Sequence, residues 1–181
     1  MPDTPIFPLD AVPPVDAAPE EPGPKPPARF RERVRERSGA QDLLVVRVGH
    51  ERFAVPLESV DELVESPRVR AIPGAPEHLV GLFTLGDATL PLYSPSTILG
   101  QAPLGEYVAL VMRGGGARVA IAVDDADDVL TVSLSRVLDA PRTGYHDDVV
   151  LGVIWNEGHL LTLLDARAIV ASYVTRSMEA A

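Results

Sequence analysis

The stretch Leu79–Leu92, LVGLFTLGDATLPL, carries two short apolar runs separated by the turn-forming pair Gly86-Asp87. This pattern predicts two neighbouring β-strands joined by a turn. It returns 71 residues later as VLGVIWNEGHLLTL at Val150–Leu163, with Gly152 in the place of Gly81. Chance similarity between aliphatic strands is the competing explanation, but the shared glycine and apolar positions favour an internal duplication.

A second match lies upstream and supports the duplication. The stretch RFAVPL at Arg52–Leu57 corresponds to RVAIAV at Arg118–Val123, at a distance of 66 residues. Acidic residues follow at matching positions, where Glu58, Asp61 and Glu62 correspond to Asp124, Asp127 and Asp128. We therefore predict two similar β-units, the first ending in a helical turn at 94–100 and the second in a C-terminal helix from Asp165 to about Ser177.

The folded part of the chain is predicted to consist mainly of short β-strands. Aliphatic runs alternate with polar or glycine-containing turns, a pattern typical of β-barrels and β-sandwiches. The predicted strands are Leu43–Val48, Phe53–Leu57, Leu79–Phe83, Thr89–Leu92, Tyr107–Met112, Val119–Val123, Val129–Val132, Val149–Trp155 and Leu160–Leu164. Besides the two helical segments named above, a helix is expected near residues 30–37.

The N-terminal region differs in composition from the rest. Residues 1–27 hold ten of the eighteen prolines and a net charge of −4, and such a segment buries too little apolar surface to order itself. It is predicted to be a disordered tail, acting as a spacer or an interaction arm. Residues 28–40 carry five arginines against two glutamates and predict a short basic amphipathic helix packed on the acidic body. One domain is expected over 41–181.

Composition and motifs argue against several functional classes. The chain has no cysteine, which removes disulfides, thiolate metal sites and cysteine nucleophiles. A net charge of −10 disfavours nucleic acid as a partner, and no apolar run is long enough to insert into a membrane. The start Met1-Pro2-Asp3-Thr4 lacks the basic and apolar segments of a signal peptide, so we expect a cytoplasmic protein.

Candidate chemical sites are weak. The run Asp124–Asp128 lacks the glycine and the distal glutamate of a calcium loop, and Arg136 stands where that glutamate would lie. A solvated turn or an acidic edge facing a partner is the preferred interpretation. The four histidines, His50, His78, His146 and His159, show no metal-ligand spacing. No nucleophile elbow, phosphate loop or dinucleotide fingerprint occurs, so we expect no catalysis, no metal and no cofactor.

Four stretches together resemble the CheW-like domain of bacterial chemotaxis coupling proteins and of the regulatory domain of their CheA histidine kinase. They are Leu44–Leu63, Ile72–Leu92, Ala120–Val129 and Val150–Asp165. The resemblance spans about 42–175. It implies two intertwined five-stranded SH3-like β-barrels, with halves at roughly 41–104 and 105–175. It also implies a non-catalytic adaptor that couples the cytoplasmic tip of a chemoreceptor to the regulatory domain of a CheA-like kinase.

The same resemblance suggests which residues bind partners. From its Val-x-Glu-apolar motif and its Asn-Leu-Arg-Gly motif come the candidates Val60, Glu62, Leu63, Gly81, Thr84, Leu85, Gly86 and Asp87. A purely structural role is the alternative for Val60, Leu63 and Gly81, because barrel cores need aliphatic residues and tight glycines.

The second motif is altered in this chain. Gly86 stands in place of the family's arginine and Asp87 in place of its glycine. Loss of that guanidinium puts the two-partner role in doubt. Two alternatives therefore stay open: a specialised protein that binds receptor but not kinase, and a general scaffold that uses its proline-rich tail.

Overall fold

The computed structural model describes residues 30–140 and 148–179, so the predictions about the 1–27 tail and about His146 lie outside the described residues. The described chain contains ten strands and three α-helices. In chain order they are α1 (Phe30–Glu36), β1 (Ala40–Val48), β2 (Glu51–Pro56), β3 (Val60–Glu65), β4 (Leu79–Leu85), β5 (Ala88–Tyr93), α2 (Ser96–Leu99), β6 (Val108–Gly114), β7 (Ala117–Val123), β8 (Asp125–Ser133), β9 (Val150–Asn156), β10 (His159–Leu164) and α3 (Ala166–Glu179).

The strands form two five-stranded sheets. The hydrogen-bonded order is β8-β1-β2-β10-β9 in sheet I and β3-β6-β7-β5-β4 in sheet II. Within the described residues the outer strands of a sheet are not hydrogen-bonded to each other, so neither sheet closes into a complete barrel. The predicted class, mainly β with two five-stranded units and a C-terminal helix, is confirmed.

Each sheet is assembled from both halves of the chain. Sheet I takes β1 and β2 from the first half and β8, β9 and β10 from the second, and sheet II has the reverse composition. The exchange depends on two parallel pairings, β2 with β10 and β5 with β7. The predicted intertwining is therefore present.

The structure also shows the repeat at the level of single residues. In β4, a Cβ added to Gly81 would lie 2.3 Å from the Arg70 carbonyl oxygen, and in β9 a Cβ on Gly152 would lie 2.6 Å from that of Leu138. These contacts arise because Arg70 pairs with Leu82 of β4, next to Gly81. In the same way, Leu138 pairs with Val153 of β9, next to Gly152. Both glycines are thus required by the close approach of a neighbouring backbone.

A shared apolar core holds the two sheets together. It combines side chains from β1 and β2, from β6 and β7, and from α3, whose Ile169, Val170 and Tyr173 are buried. We call this cluster the central core. Each sheet also has a smaller core of its own, and that of sheet I is covered by α1 through Val34. The two sheets therefore have few alternative arrangements relative to each other, because a close-packed interior does not deform gradually.

The predicted helices are present with small shifts in their ends. Helix α1 lies within the predicted basic segment. Helix α2 starts after Pro95 and ends at Gly100, which has a φ of +67°. Helix α3 starts directly after Asp165, whose Oδ1 accepts hydrogen bonds from the backbone N–H groups of Arg167 and Ala168. A carboxylate at this position satisfies N–H groups that the helix leaves unpaired.

Two local predictions were wrong. Strand β3 was not among the predicted strands, because three of its six residues, Asp61, Glu62 and Glu65, are acidic and obscure the pattern. For the acidic run Asp124–Asp128, the turn interpretation is wrong, since from Asp125 onward the run forms the start of β8 and pairs with β1. The alternative of an acidic edge is compatible with the position of β8 as an outer strand. Both β3 and β8 are outer strands, where charged residues are tolerated because one edge stays in solvent.

Candidate functional site

The eight predicted site residues fall on the two outer strands of sheet II. Val60, Glu62 and Leu63 lie on β3, and the others lie on β4 or on the turn that follows it. Three strands separate β3 from β4 in the hydrogen-bonded order. The structure therefore gives two separate candidate surfaces, which we call the β3 edge and the β4–β5 turn.

On the β3 edge, one residue faces the interior and two are available to a partner. Val60 is half-buried and packs against the central core, which supports its structural role. Glu62 is exposed, and Leu63 leaves 39% of its surface open to solvent. In the part of the chain that the structure describes, β3 pairs only with β6, so its other edge has unpaired backbone groups. Such an edge can accept a strand or a loop of another protein.

Ion pairs fix the β3 edge to the sheet behind it. The Asp61 carboxylate lies 3.0 Å from the guanidinium of Arg113 in β6 and 2.7 Å from that of Arg118 in β7. Charge-assisted contacts with two neighbouring strands restrict the movement of an otherwise one-sided strand. The exposed side chains of β3 are consequently presented from a fixed backbone.

Strand β8 presents an equivalent surface on sheet I. At the 66-residue distance of the repeat, Leu63 corresponds to Val129, which is 48% exposed, and Glu62 corresponds to the exposed Asp128. The ion pairs have weaker counterparts, with Arg52 3.8 Å from Asp127. We call this surface the β8 edge. Its acidic residues were interpreted as a turn or as an edge facing a partner, but Val129 was not named as a site residue, although the repeat distance leads from Leu63 to Val129.

The β4–β5 turn consists of Gly86 and Asp87, both exposed, between the paired residues Leu85 and Ala88. Gly86 has a φ of +62°, and a Cβ placed on it would meet no atom within 4 Å. A side chain at this position would therefore point into open space, at the cost of a left-handed backbone. Thr84, two residues earlier, is also exposed, whereas Leu85 is half-buried.

The β9–β10 hairpin of sheet I corresponds to the β4–β5 hairpin, and it is apolar at a cross-strand pair where the β4–β5 hairpin is polar. Trp155 of β9 and Leu160 of β10 form a direct cross-strand pair and are 58% and 50% exposed. Thr84 and Thr89 occupy the equivalent pair in sheet II. The sequence pattern predicts strands for both apolar residues but not their exposure, because a period-two pattern does not say which face of a sheet is covered.

Across 30–140 and 148–179, no group of three or more His, Asp or Glu side chains is placed to hold a metal ion, and no helix is long and apolar enough to cross a membrane. Burial raises the pKa of Tyr173, and this group lies in the central core, where its hydroxyl donates to the Ser94 carbonyl oxygen. The raised pKa of Tyr173 is therefore a consequence of its packing in the core.

Comparison with known proteins relates this architecture to one family. A family model described as "CheW-like domain" matches residues 42–174. "Chemotaxis protein CheW" of Rhizobium meliloti (strain 1021) is 27% identical over 140 residues, which is 75% of this chain and 90% of that protein. A protein of the same name from Treponema pallidum (strain Nichols) is 26% identical over 141 residues, 72% of this chain and 82% of that protein.

A solved structure shows the same fold. The scaffolding protein TtCheW from Thermoanaerobacter tengcongensis aligns with a TM-score of 0.63 at 17% identity, covering 70% of this chain and 90% of that one. At this identity the likeness concerns the arrangement of the strands and not the roles of individual side chains.

Proposed function

The chain belongs to the CheW-like domain family, and from this membership we propose that it is a non-catalytic adaptor that couples chemoreceptors to a CheA-like histidine kinase. The proposal places it in the cytoplasm, where the receptor tips lie. Its mechanism would be geometric: a rigid two-sheet body holds two partners in a fixed relation, so that a change in one alters the position of the other.

The observation that carries this proposal is the β3 edge. It combines an exposed apolar residue, Leu63, with an exposed carboxylate, Glu62, on an outer strand that Asp61 ties to the sheet. An apolar contact with a polar rim is what small protein interfaces usually contain. We assign this edge to the receptor, because its Val60-x-Glu62-Leu63 pattern is the part of the family motif that this chain retains.

The β4–β5 turn favours a reduced role for the kinase. Gly86 provides no side chain where the family has an arginine, and Asp87 beside it adds a negative charge. Truncating an arginine anchor at an interface commonly costs about 2 kcal/mol or more, which is more than tenfold in affinity. The specialised alternative, a protein that binds receptor strongly and kinase weakly, is therefore the second candidate that a specific observation supports.

Separate titrations against the cognate receptor tip and the kinase regulatory domain test both versions. We expect wild-type protein to bind the receptor, and Leu63→Ala to weaken that binding about fivefold or more through loss of buried apolar area. Val129→Ala, at the equivalent residue of the β8 edge, is the matched control and should leave receptor affinity unchanged. Equal affinity of the receptor for wild type and Leu63→Ala would contradict the assignment.

A second pair of variants tests binding to the kinase regulatory domain. Gly86→Arg restores the guanidinium, and Gly86→Ala imposes the same left-handed strain without it, so the two differ only in the side chain that a partner would contact. We expect kinase affinity to rise about tenfold in Gly86→Arg and to stay at the wild-type level in Gly86→Ala. Tight kinase binding by wild type, unchanged in Gly86→Arg, would refute a weakened kinase partnership.

A further inference from the structure

A basic cleft opens between α1, the β6–β7 turn and the start of α3. Its volume is about 890 Å³, and the arginines that line it are Arg31, Arg33, Arg113 and Arg167, together with the carboxylates of Glu58 and Asp165. The lining residues thus carry a net charge of +2 within a chain of net charge −10. A positive concave surface on an acidic protein concentrates anionic groups.

The carboxylates present do not satisfy these arginines. Arg31 is paired with Asp165, and Arg33 with Glu58, but Arg113 shares the single carboxylate of Asp61 with Arg118. The Nε atom of Arg33 is buried and, among the described residues, has no hydrogen-bond acceptor. A guanidinium N–H without an acceptor is costly, so the groups around Arg33 leave part of its hydrogen-bonding capacity unused.

The position of the cleft indicates which carboxylates of this chain are within reach of its arginines. Phe30, the first residue that the structure describes, lines the cleft, and residues 1–29 precede it in the chain. This region contains the acidic residues Asp3, Asp10, Asp16, Glu20 and Glu21. Glu21 is nine residues from Phe30, a span of up to about 30 Å at roughly 3.3 Å per residue, which is enough to reach the arginines.

We propose that the acidic N-terminal segment, residues 1–27, binds in the basic cleft of its own chain through carboxylate–guanidinium contacts. Tethering gives the segment a high local concentration at the cleft, so that contacts too weak to hold a separate peptide are populated. Because the contacts are between charged and partly exposed groups, they are sensitive to salt. The cleft adjoins the β3 edge, since Arg113 lines it and is ion-paired with Asp61. None of the eight predicted partner-binding residues lines it, so this proposal does not depend on the assignment of receptor and kinase.

Paramagnetic relaxation in the full-length chain tests the proposal. Because the chain has no cysteine, Ala18→Cys introduces a single site for a nitroxide label, three residues from Glu21. At low salt we expect the amide signals of Gly114, Gly115 and Gly116 in the cleft wall to fall to less than half of their intensity with the reduced label. In 0.5 M NaCl, where the Debye length is less than half of its value at 0.1 M, they should recover.

Charge variants separate a specific contact from general attraction. Arg167→Gln, which removes a cleft cation, and the pair Glu20→Gln with Glu21→Gln should each reduce the effect. Arg70→Gln, which removes an exposed arginine outside the cleft, is the matched control and should not. Undiminished cleft signals at low salt, or equal effects of Arg167→Gln and Arg70→Gln, would overturn the proposal.

A mixed sample identifies the occupant. Isotope-labelled protein without nitroxide is combined with nitroxide-labelled protein that carries no isotope, so only contacts between chains are detected. We expect no signal loss in this mixture. Signal loss equal to that of the chain that carries both the isotope and the nitroxide would show that the segment binds a second copy. If cleft signals shift with added poly-glutamate while the tethered label has no effect, the cleft takes carboxylates from another protein. Either result would overturn the intramolecular assignment.

Discussion

The Nε atom of Arg31 lies 2.7 Å from Oδ2 of Asp165 and joins α1 to the residue that precedes α3. The other carboxylate oxygen accepts hydrogen bonds from the backbone N–H groups of Arg167 and Ala168, in the first turn of α3. Arg31 also donates to the backbone oxygen of Asp148. One carboxylate therefore caps the C-terminal helix and anchors the N-terminal one. The basic segment is held on the domain by specific contacts as well as by its overall charge.

Substitutions at Asp165 should separate these two roles. Asp165→Ala removes both the cap and the ion pair, and we expect a loss of about 1–2 kcal/mol in the free energy of unfolding. Asp165→Asn keeps an acceptor for the helix and should lose less than about 1 kcal/mol. Thermal unfolding measures both, at about 2–4 °C per kcal/mol for a chain of this size. Equal losses in the two variants would show that capping contributes nothing.

The two halves should fail to fold when separated. Expressed alone, 41–104 keeps only β1 and β2 of sheet I, and 105–181 keeps only β6 and β7 of sheet II. Each fragment also loses its share of the central core, which combines residues of both sheets. We expect poorly dispersed amide spectra and no cooperative unfolding transition from either fragment. Two separately folded fragments would contradict a single cooperative unit.

A substitution in the β9–β10 turn should stabilise the protein. Glu157 has a φ of +48° and precedes Gly158 at +81°, so both central residues are left-handed. Asparagine accepts this conformation better than glutamate, and Asn-Gly is the preferred pair for such a turn. Glu157→Asn should therefore raise the melting temperature by about 1–3 °C. Asp87→Asn, at a turn residue whose φ is negative, is the control and should have no effect.

Stability should decline at high pH because of Tyr173. Burial raises its pKa far above the ordinary value of about 10, so the unfolded chain loses this proton first as the pH rises. The contribution of the neutral hydroxyl is complete below about pH 10 and is lost above it. Urea unfolding at pH 8 and pH 10.5 should show a larger fall for wild type than for Tyr173→Phe. Equal falls in both proteins would assign the decline to other groups.

Much of the fold could be predicted from the sequence, because alternating aliphatic runs and turn residues are local signals. Nine strands, the three helices and the repeat were found in this way. Strand β3 was missed, since three of its six residues are acidic and its apolar pair Leu63-Val64 lies between two glutamates. The repeat already aligned Asp61 and Glu62 with the acidic residues of β8, so the same duplication that predicted the fold also contained this strand.

The arrangement of the candidate site could not be predicted from local signals. Leu63 and Gly86 are 23 residues apart in sequence, yet three strands of sheet II lie between their strands. Strand order depends on pairings between distant segments, such as Leu92 with Ala120, and no local pattern specifies these. Exposure of Trp155 and Leu160 escaped prediction for the same reason, because it depends on which face of the finished sheet is covered.

The strand exchange between the halves gives the chain a second geometric description. One repeat supplies two strands to one sheet and three to the other, and its copy supplies the complement. Two identical single repeats related by a twofold axis would satisfy every one of these pairings. The molecule is thus equivalent to a strand-exchanged homodimer whose subunits are fused end to end. Fusion leaves the two members free to diverge, as Thr84 and its counterpart Trp155 have done, so that one symmetric frame carries two unlike surfaces.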